Sequence, residues 1–318
     1  MIESNDVSSL LDSEIAAMLA ASPVNIGEIL GGLTPESVVT IREMFAATPP
    51  PPLSDEVTRE DVSLEGRGTA SVRVHRPRVQ RTNTPCVVWM HGGGLVLGDN
   101  RMDDARFDKW CRELGIVGVS VEYRLAPEHP YPTPLEDCYA ALAWTHRNAA
   151  SLGVDPMRIG IGGASAGAGL AAGLALLARD RAEFAVDFQL LVYPMIDDRQ
   201  ITRSSSWIDP IWSPAANTFG WTSYLGSDKG TDTVAPYAAV ARATDLRGLP
   251  RALVVVGALD GFSDEDIDYA KRLRHAGVPT DLNVYAGAPH GFDTFGDLTT
   301  VSRRCNRDVD EWLAARVV

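Results

Sequence analysis

The chain is poor in the residues that carry metal, redox and nucleic-acid chemistry. Its 318 residues hold four cysteines and six histidines. Cys86, Cys111, Cys138 and Cys305 are far apart and form no C-x-x-C pair, so neither a zinc site nor a redox dithiol is expected and the thiols read as free and structural. The histidines make no H-x-x-x-H or H-E-x-x-H pattern, which removes the expectation of a catalytic metal. Positive charge is short as well: 29 Lys and Arg against 42 Asp and Glu leave a net charge of -13, which repels phosphate backbones and anionic lipid. Nucleic acid and membranes are therefore not expected partners. Apolar runs such as LVVVGAL fall well below the roughly 20 residues that span a bilayer. The opening MIESNDVSSLL has neither the basic stretch nor the apolar stretch of a signal peptide, and the expected location is the cytoplasm.

What is present is alternation. SVRVHR, CVVWM, GVSVEYR, RIGIGG, QLLVYP, ALVVVGAL and TDLNVYAG read as strands. Helical stretches are predicted near Phe107–Leu114, Leu135–Ala149, Leu170–Arg179 and Ile267–Ala276. Strands and helices in turn argue an α/β fold with a mostly parallel central sheet flanked by helices, whose active crevice lies at the carboxyl ends of the strands. Before the proline run Pro49–Pro52, which reads as a boundary, two amphipathic segments are predicted as helices outside the sheet. One carries Leu11, Ile15, Met18 and Leu19; the other carries Val38, Ile41 and Phe45 behind Thr34 at the N-cap and Pro35.

Between QLLVYP and ALVVVGAL the rhythm breaks for about fifty residues, whose first part holds Trp207, Trp212, Phe219, Trp221 and Tyr224. Two readings stand side by side. The aromatics form a satellite core, or the segment joins the N-terminal helices as a cap over the crevice, with Trp207, Trp212 and Phe219 lining an apolar pocket.

Four local patterns carry chemistry. Gly163, Ser165 and Gly167 form Gly-x-Ser-x-Gly on a strand-to-helix turn, where small neighbours let the chain bend sharply and push a hydroxyl outward. CVVWM runs into HGGGLVLGD, and Gly92, Gly93 and Gly94 leave backbone N–H groups unshielded for an oxyanion. A flexible turn and a phosphate cradle are the alternatives, but no Gly-Lys-Ser/Thr follows as a P-loop requires. Asp260 comes just past a strand, whereas Asp264, Glu265 and Asp266 suit the exposed first turn of a helix. His290 lies in a loop after the last strand, while His75, His129, His146 and His275 fall in strand, proline-rich or helical settings. Ser165, Asp260 and His290 in this order, downstream of HGGG, match the order of the α/β-hydrolase triad. A dinucleotide reading of Gly167-x-Gly169-x-x-Ala172 fails because no acidic residue ends a strand at the required distance.

HGGGLVLGD, VEYRLAPEHPYPTPLEDC, GGASAGAGLAAG, LDGFSDED and PHGF together resemble the bacterial hormone-sensitive lipase family of esterases, over roughly residues 50–318. The resemblance implies an α/β-hydrolase fold with an eight-stranded sheet and a helical cap. The implied organisation is N-terminal cap helices at 1–48, a first core part at 49–196, a cap insertion at 197–230 and a second core part at 231–318. It implies Ser165, Asp260 and His290 as catalytic residues and the amides of Gly93, Gly94 and Ala166 as the oxyanion hole. The implied activity is cofactor-free hydrolysis of short- to medium-chain esters, aryl or acetyl esters among them, through an acyl-enzyme. An amidase or formamidase with the same triad and a non-catalytic small-molecule binding protein remain as alternatives, and a homodimer as an oligomeric option. Two departures stand out. Ala164 replaces the acidic residue of GDSAG, which puts local hydrogen bonding in doubt, and DGFSDED lacks the proline and arginine of DPLRDEG, which leads to the expectation of a looser turn.

Overall fold

A computed structural model describes residues 5–47, 52–79 and 81–317. Three helices come first: α1 (Ser13–Ala21), α2 (Ile26–Gly31) and α3 (Pro35–Ala47). Then follow β1 (Val57–Ser63), β2 (Ser71–Pro77), β3 (Thr84–Met90), α4 (Asp104–Leu114), β4 (Val117–Glu122), α5 (Thr133–Arg147), α6 (Ala149–Leu152) and β5 (Val154–Ala164). The second half runs α7 (Ala166–Arg181), β6 (Phe188–Val192), α8 (Pro214–Leu225), β7 (Arg251–Gly257), α9 (Ser263–His275), β8 (Thr280–Tyr285) and α10 (Thr300–Val317). The proline boundary lies outside the described residues except for Pro52.

Eight strands make one sheet in the order β1-β2-β4-β3-β5-β6-β7-β8. Pairs β1/β2 and β2/β4 are antiparallel, and every pair from β4 to β8 is parallel. Alternation along β3 shows how the layers form. Cys86, Val88 and Met90 enter the core under α5, α7 and α9, whereas Val87 and Trp89 enter the opposite core with Phe107 and Trp110 of α4 and Leu313 of α10. Both faces are covered, so β3 is buried along its whole length.

The predicted strands and the helices around Phe107, Leu135 and Ile267 are where the sequence places them, with shifts at the ends. The stretch Leu135–Ala149 divides at Asn148 into α5 and α6, and α7 begins at Ala166, four residues before the predicted start. Strand β1, helix α2 and helix α10 have no counterpart in the sequence expectation. β1 is an edge strand with a mostly exposed, charged sequence, VTREDVS, and so has little apolar alternation to detect.

The segment between β6 and β7 packs over the carboxyl ends of the strands together with the N-terminal residues. Asp6 bridges to Ile208, and an added Cβ on Gly27 of α2 would meet the Pro210 carbonyl oxygen at 2.2 Å. Among the described residues no helix is long and apolar enough to cross a membrane.

Candidate active site

Ser165 sits between β5 and α7 with φ 57° and ψ −123°, a backbone state that costs an ordinary residue on the order of 1–3 kcal/mol. Surrounding bonds hold it there. Its N–H donates to the Val192 carbonyl of β6 at 2.8 Å, and its carbonyl accepts from Gly169 and Met195 at 3.0 and 3.1 Å. The flanking glycines are a steric requirement: a Cβ on Gly163 would lie 2.4 Å from the Gly167 carbonyl carbon, and one on Gly167 would lie 2.1 Å from the Met90 carbonyl oxygen. Ala164 packs its methyl group against the core that contains Trp89 and Phe188.

Asp260 and His290 arrive on the loops after β7 and β8. Nδ1 of His290 lies 2.8 Å from Asp260 Oδ2, and Nε2 lies 2.8 Å from Ser165 Oγ. All three side chains are buried. The remaining Asp260 oxygen accepts from the Phe262 N–H at 2.9 Å, and the Asp260 carbonyl accepts from Ser263 at 3.0 Å. Ser204 Oγ also donates to the Gly261 carbonyl at 2.9 Å. The turn expected to be loose for want of proline and arginine is thus braced by hydrogen bonds.

Burial by itself would push the His290 imidazole down, but the charge of Asp260, with those of Asp209 and Asp293 behind it, outweighs burial and raises it above its ordinary value. Three rings pack round it: Tyr193 at 4.7 Å, Phe262 at 5.0 Å and Trp212 at 6.4 Å between centroids. Tyr193 donates its hydroxyl to Asp293, which Arg106 also holds at 2.7 Å.

The HGGG turn lies against the serine elbow, since a Cβ on Gly92 would be 3.5 Å from that of Ser165. Gly93 and Gly94 take φ of 114° and 62°, which L side chains rarely adopt. The Gly93 carbonyl accepts from Val96 and Leu97 at 3.1 and 2.8 Å, closing the turn. Tyr123 stacks on His91 at 4.2 Å and donates to its carbonyl at 2.7 Å, and burial keeps the His91 ring neutral, with its pKa lowered to about 4. Ala166 is the first residue of α7, where a backbone N–H has no partner within the helix. From the N-terminal helices, α3 reaches this turn through Arg42, which donates to the carbonyls of Val96 and Ala126 at 2.7 Å each.

Of the aromatic candidates, Trp212 comes to the triad: its ring occupies the space that a Cβ on Gly94 would take, at 2.1 Å. Trp207 packs with Val7 and Leu259, and Phe219 is half-buried on α8 against the main core. A cavity of about 780 Å³ opens between the N-terminal helices and the turn before Trp212, lined by Leu11, Met18, Leu19, Ile26, Ile211 and Phe295 among others; Ser165, Asp260 and His290 do not line it. The acids after Asp260 correct the expectation of an exposed first turn. Glu265 and Asp266 are buried, Glu265 accepting from the Ile196 and Asp197 N–H groups at 3.0 and 3.2 Å, because that turn of α9 faces the core under the segment after β6. Sequence reasoning missed Asp209, whose carboxylate accepts from the His290 N–H at 2.7 Å; the only local signal is the turn-forming Asp-Pro pair.

A family profile described as the alpha/beta hydrolase fold matches residues 87–294. The carboxylic ester hydrolase LipN of Mycobacterium tuberculosis is 38% identical over 260 residues, covering 79% of this chain and 68% of that protein. An arylesterase of Saccharolobus solfataricus is 32% identical over 260 residues, covering 79% and 82%. The solved structure of a bacterial heroin esterase superposes with a TM-score of 0.88 at 36% identity, covering 98% of this chain and 99% of that one. With the fold, the sheet order and the relatives in agreement, the chain belongs to the hormone-sensitive-lipase-like carboxylic ester hydrolases of the α/β-hydrolase fold.

Proposed function

We propose that the chain hydrolyses short- to medium-chain carboxylic esters by a serine mechanism with an acyl-enzyme intermediate. The observation that carries this reading is the position of His290, 2.8 Å from Ser165 on one side and 2.8 Å from Asp260 on the other. A serine hydroxyl is a weak nucleophile until a base within hydrogen-bond reach takes its proton. Neutral His290 accepts that proton on Nε2 while Oγ of Ser165 bonds to the ester carbonyl carbon. Asp260 accepts from Nδ1–H, which fixes the tautomer and stabilises the imidazolium that forms. The carbonyl oxygen, now negative, accepts from the amides of Gly93, Gly94 and Ala166. The imidazolium then protonates the departing alcohol as the ester C–O bond breaks, leaving acylated Ser165. Water attacks that acyl group by the same route, and the acid leaves.

No cofactor enters these steps. The cap formed by the N-terminal helices and the 197–230 insertion bounds the site, and the mostly apolar cavity lined by Ile211, Leu11 and Ile26 receives the hydrocarbon part of the substrate. A fluorophosphonate probe followed by peptide mass mapping tests the assignment. The adduct is expected on Ser165, with loss of p-nitrophenyl acetate turnover in proportion to labelling. An adduct elsewhere, or full labelling with turnover retained, would overturn it. A matched ester and anilide pair separates this reading from an amidase, with the ester expected to turn over faster.

A further inference from the structure

Asp209 stands apart from the residues the mechanism uses, yet it is buried at the centre of the site. Oδ2 accepts from the His290 backbone N–H at 2.7 Å, while Oδ1 accepts from the Ile211 and Trp212 N–H groups at 2.8 and 3.0 Å. One carboxylate therefore ties the loop that carries the imidazole to the turn that carries the Trp212 ring. That turn is itself pinned from the other side. Ile208 donates to the Asn5 carbonyl at 2.7 Å, and Gly27 of α2 packs directly on Pro210.

We propose that Asp209 is a positioning residue for the reaction: it registers the cap turn against the histidine loop, and its charge supports the imidazolium that forms at His290. The assignment rests on the esterase reading given above. Its physical basis is that a buried carboxylate with three N–H donors holds both loops in one arrangement, and charge-assisted bonds of this kind are stronger than neutral ones. The groups that face His290 are Ser165 from the α7 elbow, Asp260 from the β7 loop, Tyr193 from the end of β6, Asp209 from the cap and Asp293 from its own loop, the last paired with Arg106. Asp209 in turn feels burial and the charge of Asp260, which raise its pKa to about 6, so it is ionised at neutral pH and costs the fold something to keep so.

The test uses Asp209→Asn, which keeps shape and removes charge, and Asp209→Ser, whose hydroxyl still accepts from N–H groups two or three residues on but does not reach His290. Folding is checked by melting temperature, and either folded variant suffices. Expected for both is a fall in kcat of roughly 10- to 100-fold with KM changed far less, because a small misplacement of the base acts on the transition state. The acid limb of kcat/KM, and of the rate of Ser165 phosphonylation by the fluorophosphonate, is expected to move down by about one pH unit as a negative neighbour is lost. Variants with wild-type kcat, or with reduced kcat and an unmoved acid limb, overturn the assignment. A wild-type protein inert toward both ester and fluorophosphonate overturns the esterase reading instead, and the Asp209 role with it.

Discussion

Oγ of Ser165 and Nε2 of His290 stand 2.8 Å apart although 125 residues separate them in the chain. In the proposed mechanism the two groups act as a unit, because the hydroxyl needs the base and the acyl-enzyme that the base later helps water to attack forms only on the hydroxyl. Removing either is expected to cost about as much as removing both. Ser165→Ala, His290→Ala and the double variant should each lower kcat for p-nitrophenyl acetate by several decades, roughly 10⁴- to 10⁶-fold, with melting temperatures near wild type. Losses that multiply in the double variant would show that the two residues act independently.

The pH dependence follows from the charges round the imidazole. Burial disfavours imidazolium, but Asp260, Asp209 and Asp293 favour it and prevail, so His290 titrates above its ordinary 6.5. The base must be neutral to work, so kcat/KM rises with pH and its acid midpoint is expected above 6.5. Asp260→Asn withdraws the nearest charge and the acceptor that sets the tautomer. The midpoint should fall and kcat should drop on the order of 10⁴-fold. A midpoint that stays in place would separate Asp260 from the imidazole.

Gly94 tests the proposed oxyanion turn. It has φ of 62°, and a Cβ there would lie 2.1 Å from the Trp212 ring. Gly94→Ala should displace the turn and lower kcat by roughly 10²- to 10³-fold, the usual cost of one lost oxyanion donor, with a smaller change in KM. Adding Trp212→Leu makes room for the methyl group and should recover part of the loss. No recovery would place the defect in the backbone strain alone.

The sheet and the residues of the candidate triad were legible because both leave short-range traces. Strands buried on two faces read as continuous apolar runs, as in CVVWM, and each candidate catalytic residue lies within a few residues after a predicted strand. The glycines round Ser165 are equally readable, since close packing of Gly163 against Gly167 and of Gly167 against Met90 permits nothing larger. Other features depend on contacts that no local pattern records. Asp209 is 81 residues from the amide it holds, and its neighbours read only as a turn. Arg42 is 54 residues from the Val96 carbonyl it binds, and on the sequence it is one charge on an amphipathic helix. The burial of Glu265 and Asp266 was hidden for the same reason: a helix start favours acids on electrostatic grounds whichever way that turn faces.

The cavity between the N-terminal helices and the cap turn predicts how chain length matters. Ile211 lines it and its side chain lies 3.9 Å from where a Cβ on Gly291 would be, so Ile211 stands between that space and the loop of His290. Acyl chains of two to six carbons should be preferred over chains of twelve to sixteen in a p-nitrophenyl series. Ile211→Trp reduces the volume and should lower kcat/KM for hexanoate more than for acetate. Equal effects on both substrates would mean that the acyl group lies elsewhere.

Asp266 carries the last prediction, which concerns stability. It is fully buried in the first turns of α9, and neither carboxyl oxygen has a hydrogen-bond partner among the described residues. Burial first, then the charges of Glu265 and Asp260, raise it well above its ordinary 3.8, so the folded chain holds this proton to higher pH than the unfolded chain does. The unfolded chain releases that proton near its usual value. The folded state therefore binds more protons at this group, and the group's own contribution to stability is fully present below about pH 4 and is lost as pH rises toward the folded value. Asn has nothing to titrate. Asp266→Asn should narrow the difference between melting temperatures at pH 5 and pH 8, without abolishing it, because Glu265 is raised for the same reason. An unchanged difference would mean that Asp266 is ionised in the folded protein, with a counter-charge or water beside it.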